Sequence, residues 1–374
     1  MQKFLLIVLL GIIYNQTVKA EEIMSEDMLL GNEIGVTSET STNTTDNTDT
    51  QTTLKSSLIN LIKKPLSLFS SASDQIVSQD GKTETFLEKS IRAAQEGKLS
   101  DQMNLGYMYL YGTNGVEQNY EKAFEYYTMA AAQNDSIALN NLGSLYFSGI
   151  GTSRNTRKAI ELFQQAAELG NDNAAVNLAF IYLTGGTKDE QRNVKAIELY
   201  KQAAKQGNNI AKFMLGYAYY KGFVVDTDYA KAYQLIKEAA EDDALIDEAQ
   251  MVQGEMLIEG IGTVQNYQKG VGLIRAAAGQ GNLEAIMVAA KIYALGKYVP
   301  QNLLMSHALY NIAAAHDVAG AAEFRDEVAS KLKLEQLTQA QTNAQQFTPN
   351  PSELTTYIRQ TFGENIRRYI DNNR

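Results

Sequence analysis

Histidine, cysteine and paired carboxylates do most of the catalysis and metal binding in proteins, and this sequence offers few of them. Its 374 residues contain two histidines, His307 and His316, and no cysteine. A nine-residue spacing puts the two histidines on opposite faces of a continuous helix, so they cannot share a metal ion there. No serine lies in a nucleophile-elbow context and no phosphate-binding loop occurs. We therefore predict no catalytic residue, no metal site and no cofactor.

One acidic run, Glu241-Asp242-Asp243, is followed closely by Asp247-Glu248. Carboxylates are the ligands that calcium prefers, but the spacing is not that of an EF-hand loop. A solvated loop is the simpler interpretation. An enzymatic alternative stays open, because a carboxylate pair that no motif singles out would suffice for a periplasmic hydrolase or a protein active on cell-wall glycan.

The charge of the chain restricts its partners. The formal net charge is −10, and loss of Lys3 and Lys19 with the first twenty residues would leave −12. An acidic surface repels phosphate backbones and anionic lipids, and no basic patch offsets it, so we predict no nucleic-acid partner. The absence of cysteine excludes disulfides and a lipoprotein-type lipidated N-terminus.

The N-terminal residues read as an export signal. Lys3 precedes an apolar run over 4–13, and Val18-Lys19-Ala20 suits signal peptidase, so residues 1–20 are predicted to be a signal peptide cleaved after Ala20. An uncleaved anchor is the alternative, and either predicts export to the periplasm, the outer membrane or the cell surface of a Gram-negative bacterium. Residues 21–82 are predicted to be a spacer, because 37–53 are almost entirely polar and cannot bury apolar area.

Within this spacer, residues 54–69 form a short amphipathic segment. Leu54, Leu58, Leu61 and Ile62 recur at helical spacing beside three lysines, and Pro65 interrupts the pattern. Three interpretations remain open: docking on the following domain, peripheral contact with a membrane surface, or binding to a partner as a helix in a groove.

A block of 36 to 38 residues recurs six times in the rest of the chain, which indicates stacked supersecondary units. The first marker of the block is Leu105-Gly106, Leu142-Gly143, Leu178-Ala179, Leu215-Gly216, Gln253-Gly254 and Ala289-Ala290. The second marker is Lys122-Ala123, Lys158-Ala159, Lys195-Ala196, Lys231-Ala232, Lys269-Gly270 and His307-Ala308.

Each block predicts two helices with defined ends. A glycine ends the first helix in the left-handed conformation that residues with a Cβ resist: Gly112, Gly149, Gly185, Gly222, Gly260 and Gly296. The Gly-Asn pairs at 170, 207 and 281 are predicted to end the second helix in the same way. Asn119, Asp228 and Asn266 are predicted N-caps of second helices. Tyrosine recurs three residues after the first marker and is interpreted as a structural wedge.

These residues carry a resemblance. The pattern A-x3-L-G-x2-Y-x2-G, then K-A, then A-A-x2-G, reads here as Ala138, Leu142-Gly143, Tyr146, Gly149, Lys158-Ala159, Ala166-Ala167 and Gly170, and it resembles the Sel1-like repeat family, a tetratricopeptide relative. The resemblance implies an all-α fold: a right-handed α-solenoid of antiparallel helix pairs with scaffolding and adaptor roles. Secreted bacterial members are linked to envelope signalling and host-cell interaction.

The flanks fit this solenoid, which is predicted to span residues 83–319. Residues 86–97 repeat the second-helix pattern as an N-terminal half-repeat, and 320–346 resemble closing helices. The tail, 347–374, is predicted to hold a short amphipathic helix over Ser352–Tyr369. It either packs on the end of the solenoid or docks on another chain.

Positions two before and two after the core leucine lie on the far side of the first helix and should face the concave groove of the solenoid. An exposed row of aromatic and methionine side chains there would suit a peptide. Our candidate protein-binding groove consists of Met103, Tyr107, Asn140, Ser144, Phe180, Phe213, Tyr217 and Glu255. Coverage of this groove by another part of the same chain is the alternative.

Three functions follow from these readings. The leading hypothesis is a non-catalytic scaffold that binds an envelope or host protein and contributes to host interaction. The second is the hydrolase or glycan-active protein, and the third is a membrane-associated structural spacer anchored through 54–69. The sequence leaves the oligomeric state open.

Overall fold

The structure, a computed structural model, describes residues 75–77, 83–184, 190–240, 246–352, 355–356 and 359. The predicted signal peptide, the amphipathic segment 54–69, Gly185 and the acidic run 241–243 lie outside the described residues. The described residues fall into two compact units, 75–129 and 130–359.

The first unit opens with a two-stranded ribbon that the sequence analysis did not predict. Strand β1 (Gln75–Val77) pairs antiparallel with β2 (Thr83–Thr85), so that Ile76 lies opposite Glu84. Helix α1 (Phe86–Gln95) follows directly, and Thr85 and Glu88 form a reciprocal capping box at its start. Helix α1 is the predicted half-repeat, and it packs against α2 (Leu99–Tyr111). Helix α3 (Tyr120–Ala131) completes the first repeat.

The second unit contains twelve further helices among its described residues. They are α4 (Ser136–Ser148), α5 (Thr156–Glu168), α6 (Asp172–Thr184), α7 (Glu190–Lys205), α8 (Asn209–Lys221), α9 (Tyr229–Ala240), α10 (Asp247–Glu259), α11 (Tyr267–Gly279), α12 (Leu283–Leu295), α13 (Leu303–Ala315), α14 (Ala321–Ala329) and α15 (Leu334–Gln346).

Helices α4 to α13 each pack against the next helix in sequence, and α15 packs against α13. The chain is therefore a solenoid of helix pairs, which confirms the predicted fold class. The last two helices are the predicted closing helices.

The predicted helix ends are confirmed wherever the structure describes them. The first helix of five repeats ends at a glycine with positive φ, at Gly112, Gly149, Gly222, Gly260 and Gly296. Asn119, Asp228 and Asn266 accept hydrogen bonds from backbone N–H groups three residues on, as N-caps do.

The asparagines of the Gly-Asn pairs do more than end the second helix. Asn171, Asn208 and Asn282 cap the start of the next first helix, accepting from the N–H groups of Ala174, Ala211 and Ala285 at 2.9–3.0 Å. Their amide groups also donate to the first helical residue of the preceding repeat, at Ser136 O (3.1 Å), Asp172 Oδ2 (3.1 Å) and Asp247 Oδ2 (2.9 Å). One side chain thus caps the first helix of its own repeat and donates a hydrogen bond to the preceding repeat.

The recurring tyrosine of the first helix contacts the marker lysine of the second helix in the same repeat. Lys158 Nζ lies 4.8 Å from the ring centroid of Tyr146, and Lys231 Nζ lies 4.3 Å from that of Tyr219. The Lys231 ammonium also donates to the Tyr219 phenol oxygen at 2.8 Å. The recurring tyrosine is therefore a partner for the recurring lysine of the second helix, which supports its structural interpretation.

The C-terminal tail turns back along the second unit. Asn350 N donates to Gly279 O at 3.0 Å, and Ser352 N donates to the side chain of Gln280 at 2.9 Å. Thr355, Thr356 and Arg359 have helical backbone. The described tail residues contact the fifth repeat. Most of the predicted helix over Ser352–Tyr369 lies outside the described residues, so that helix and its packing stay a prediction.

Candidate functional site

The residues that could take part in catalysis or metal binding do not lie close together. His307 is buried in α13, where burial lowers its pKa, and His316 is exposed at the end of the same helix. Within the described ranges, no three histidine or carboxylate side chains lie close enough together to hold a metal ion. Within the same ranges, no helix has the length and apolar character of a membrane span.

Two of the eight predicted groove residues belong to the first unit. Met103 and Tyr107 lie on α2 in the first unit, and both are partly exposed. The Tyr107 ring packs on Tyr111 with centroids 4.6 Å apart.

Four of the six predicted groove residues in the second unit are buried: Asn140, Ser144, Phe213 and Tyr217. The expectation that they form an exposed row is wrong, because first helices of neighbouring repeats approach closely. Asn177 of α6 donates to Asn140 Oδ1 of α4 at 3.0 Å, and the Ser144 hydroxyl donates to Asn140 O. The Phe213 and Tyr217 rings contact each other with centroids 6.0 Å apart.

Phe180 and Glu255 are partly exposed. A protein-binding role for the groove stays a prediction.

A different surface of the second unit carries exposed apolar side chains. The loops between the two helices of repeats four, five and six, with the residues beside them, form what we call the loop edge: Val224, Tyr229, Val264, Tyr267, Leu295 and Tyr298. Five of the ten large apolar side chains that are exposed among the described residues belong to it. Val264 is 86% exposed and Leu295 is 62% exposed. Clustered exposed apolar residues mark interaction sites more often than scattered ones do.

Direct contacts join the loops of the edge. The Tyr267 ring stacks on Tyr298 of the next repeat, with centroids 4.8 Å apart. Gly262 packs against the backbone of Tyr229 in the preceding repeat so closely that a Cβ at residue 262 would overlap the Tyr229 carbonyl. Glycine is therefore required at 262, and the three loops form a continuous surface.

Val224 holds a strained conformation on this edge. Its φ is +64°, in the left-handed region that β-branched residues avoid. The second residue after the capping glycine is also left-handed in other repeats, but there it is Asn114, Gly151 or Gly262. A valine at this position costs on the order of 1–2 kcal/mol. Strain kept at an exposed apolar residue suggests use of that residue.

Two lysines border the edge. A hydrogen bond with the Tyr298 phenol raises the pKa of Lys297, and its Nζ lies 5.0 Å from the Tyr298 ring centroid. Lys221 Nζ lies 5.2 Å from the centroids of Tyr217 and Tyr220, and the Tyr220 ring meets Tyr229 edge-on at 6.0 Å. Tyrosine is enriched among the residues that contribute most to protein-protein binding.

Sequence reasoning missed the loop edge because it searched the helices for periodic side chains. The signal was present in the loops: a valine where other repeats carry glycine or asparagine, and Tyr229 and Tyr267 at the start of two successive second helices. An apolar side chain in a short loop does not contribute to packing unless other residues or a partner cover it.

The geometry defines a class of protein: a solenoid of stacked helix pairs, with asparagine side chains that hydrogen-bond from one repeat to the preceding one. The Sel1 repeat family model matches residues 100–135, 136–171, 172–208, 209–243, 248–282 and 284–318, more than half of the chain. The chain belongs to the Sel1 repeat family. Proteins of this family are typically protein-interaction scaffolds and are generally non-catalytic.

Solved structures agree with this assignment. The chain is 26% identical to a protective antigen present in uropathogenic Escherichia coli strains, with a TM-score of 0.50, covering 73% of this chain and 66% of that one. It is 27% identical to a Sel1 repeat protein from Oxalobacter formigenes, with a TM-score of 0.52, covering 62% of this chain and 99% of that one. The chain thus spans just under two thirds of the antigen. No curated protein matches it.

Proposed function

We propose that this protein is a non-catalytic scaffold that binds another protein through the loop edge, in the envelope or at the surface of a Gram-negative bacterium. The observation that carries the proposal is the loop edge itself: a continuous apolar surface across three repeats, maintained with backbone strain at Val224. Apolar area that stays in water weakens solubility, and a partner that covers it gains about 25 cal/mol for each Å² buried.

The partner is expected to present apolar side chains to this edge. The tyrosines of the edge offer large apolar area at little entropic cost, together with phenol groups for hydrogen bonds. Lys221 and Lys297 favour acidic groups at the rim of the partner's surface. Phe180 and Glu255, the partly exposed groove residues of the second unit, provide a second region for the same partner.

Two observations support an extracytoplasmic location. Residues 1–20 have the charge, apolar run and small residue of a secretory signal. A solved structure similar to this chain is that of a protective antigen present in uropathogenic Escherichia coli strains. A contribution to host interaction is part of this proposal.

The binding experiment compares two variants of the full chain. The edge variant is Val264→Ser, Tyr267→Ala and Leu295→Ser. The matched control is Leu169→Ser, which removes a leucine that is 54% exposed away from the loop edge. In-cell crosslinking should recover the same envelope or host protein with wild type and with the control, and lose it with the edge variant. Equal recovery of the partner by all three chains would exclude the loop edge as the binding surface.

A single substitution separates binding from stability. Val224→Gly relieves the left-handed strain, so it should stabilise the fourth repeat by about 1 kcal/mol while removing an edge side chain. Weaker partner recovery from a more stable protein would show that the valine serves binding. Unchanged recovery would leave the strain without a role in binding.

Location is tested by fractionation of cells that carry the full chain or a chain without residues 2–20. We expect the full chain in the periplasmic or outer-membrane fraction and the shortened chain in the cytoplasm. If both chains stay in the cytoplasm, the proposal of an envelope role is overturned, and the scaffold would have to bind a cytoplasmic partner.

A further inference from the structure

The fifth repeat begins without the side-chain cap that repeats two, three, four and six have. The first helices of repeats two, three, four and six begin after Asp135, Asn171, Asn208 and Asn282, whose side chains accept from backbone N–H groups. Helix α10 begins after Ile246, which cannot do so. The first N–H groups of a helix have no partner within it, so α10 requires an acceptor from elsewhere.

The C-terminal tail supplies that acceptor. The Thr355 hydroxyl accepts from Asp247 N at 3.1 Å and donates to Asp247 Oδ1 at 3.3 Å, across 108 positions of sequence. Thr355 is fully buried. Thr355 therefore does for α10 what an aspartate or asparagine does for the first helices of repeats two, three, four and six.

The tail also neutralises a buried charge. Asp247 is 2% exposed, and Arg359 Nη2 donates to its Oδ2 at 2.6 Å. The same Oδ2 accepts from Asn282 at 2.9 Å. A carboxylate buried in this way requires a cation or several donors, because its own hydration is lost.

A second set of contacts fixes the register of the tail. Arg359 Nη1 donates to Gln280 O at 2.9 Å, and the Gln280 side chain accepts from Ser352 N while donating to Gln250 Oε1 at 2.8 Å. Pro349 packs on Gly281, where a Cβ would lie 2.8 Å from the proline ring. Backbone and side chains of the tail are both recognised.

We propose that the fifth repeat contains a peptide-binding site, and that the C-terminal tail, through residues 349–352, 355 and 359, is the ligand that this chain supplies to itself. The ligand class is a peptide that carries a hydroxyl residue four positions before an arginine. The hydroxyl caps α10, and the arginine pairs with Asp247. A backbone N–H that precedes them, that of Ser352, donates to the Gln280 side chain. This site is separate from the loop edge and does not depend on it.

Attachment in the same chain explains why the segment stays bound. A tethered ligand acts at an effective concentration in the millimolar range, so a site of modest affinity remains filled. Free peptide would therefore meet an occupied site in the wild-type chain. Weakening the tethered tail should open the site to peptide from solution.

The first test uses full chains and a labelled synthetic peptide of residues 347–361. The weak-tail chain carries Thr355→Val and Arg359→Gln. By fluorescence anisotropy, we expect it to bind the peptide at least tenfold more tightly than wild type does. The same peptide with Arg359→Gln should not bind, and neither should the wild-type peptide bind a weak-tail chain that also carries Asp247→Asn. Absence of binding to a folded weak-tail chain would overturn the proposal, as would equal binding by the Asp247→Asn chain.

A second measurement decides the matter if the weak-tail chain does not fold. A protease site inserted after Gln346 allows the complete chain to fold before the tail is cut. With the cut chain at about millimolar concentration, the wild-type tail should diffuse with the body in pulsed-field-gradient NMR, and a cut Arg359→Gln tail should diffuse as a free peptide. Free diffusion of both tails at that concentration would show that the fifth repeat has no peptide site.

Discussion

Repeats three and five are built to the same plan and completed in different ways. Each first helix begins with an aspartate, Asp172 or Asp247, and each carboxylate accepts from the asparagine of the following repeat. In repeat three the helix start is capped by the adjacent Asn171, while in repeat five it is capped by Thr355 from the tail. A local cap depends on neighbouring residues, and a remote cap depends on the whole second unit.

The difference shows how to read a departure from a repeat. Repeat five lacks the preceding Gly-Asn pair and carries Asp247-Glu248 after the acidic run, which the sequence analysis interpreted as a solvated loop. In the structure the change makes a docking place for a segment outside the repeats. In a solenoid whose units contact only their neighbours, such departures indicate where another chain segment binds.

The largest expected effect comes from placing the marker alanine of repeat three at the equivalent position of repeat five. Repeat three carries Ala179 at its marker, whereas repeat five carries Gly254 opposite Gly270. A Cβ at residue 254 would lie 2.7 Å from the Gly270 carbonyl oxygen, and backbone cannot move aside as a side-chain end can. We expect Gly254→Ala to destabilise repeat five by about 3 kcal/mol, measured by native-state hydrogen exchange of α10 and α11.

The reverse substitution is the control. Ala179→Gly should cost only about 1 kcal/mol, through helix propensity and a lost methyl group. Because the solenoid need not unfold in one step, the exchange data must be resolved by repeat. If both variants lose the same stability, the two helix interfaces are equivalent, and the glycine pair of repeat five has no steric cause.

The second effect tests the buried ion pair. Arg359→Gln leaves the Asp247 carboxylate with neutral donors in a nearly dry site, so the second unit should lose about 2 kcal/mol. Arg325→Gln is the matched control, because Arg325 pairs with the exposed Asp326 and should change stability by less than about 0.5 kcal/mol. Urea denaturation of the full chains measures both. Similar small losses would mean that the tail contributes nothing to repeat five.

A smaller effect compares the two kinds of cap. Asn208→Ala and Thr355→Val each remove one side-chain acceptor at a helix start, at a cost of about 1 kcal/mol. Exchange of the Ala211 amide should speed up in the first variant, and exchange of the Asp247 amide in the second. A protected Asp247 amide in Thr355→Val would show that the tail does not cap α10 in solution.

Periodicity predicted most of the fold. The two markers recur in phase over six repeats, and the glycine and asparagine residues between them have strong backbone preferences, so helix pairs and their ends followed from local rules. The dual role of Asn171 and Asn208 did not follow, because the second hydrogen bond reaches the preceding repeat. The ribbon of residues 75–77 and 83–85 was missed because three-residue strands give no readable alternation.

The candidate sites were harder to predict. Side-chain direction on one helix placed Phe213 and Tyr217 on the far side from the core leucine, yet they are buried. Burial depends on how closely neighbouring helices approach, which no single repeat encodes. The tail site joins Asp247 to Thr355 and Arg359 across more than a hundred residues, so no local pattern reveals it.

The smallest effect concerns the end of the solenoid. His307 occupies the position of the marker lysine, which is exposed as Lys195 in repeat three, but the histidine is buried because α14 and α15 pack on α13. Burial lowers its pKa below the ordinary 6.5, with Arg325 acting in the same direction and Asp326 against it. The unfolded chain therefore takes up this proton first, so folding stability should fall as the pH drops below about 6.5, until the folded histidine itself is protonated. Above that pH His307 contributes no slope. We expect His307→Gln to flatten the stability curve below about pH 6.5 relative to wild type. Parallel curves for wild type and His307→Gln would mean that the histidine is as well hydrated in the folded chain as in the unfolded one, and that the closing helices do not cover it.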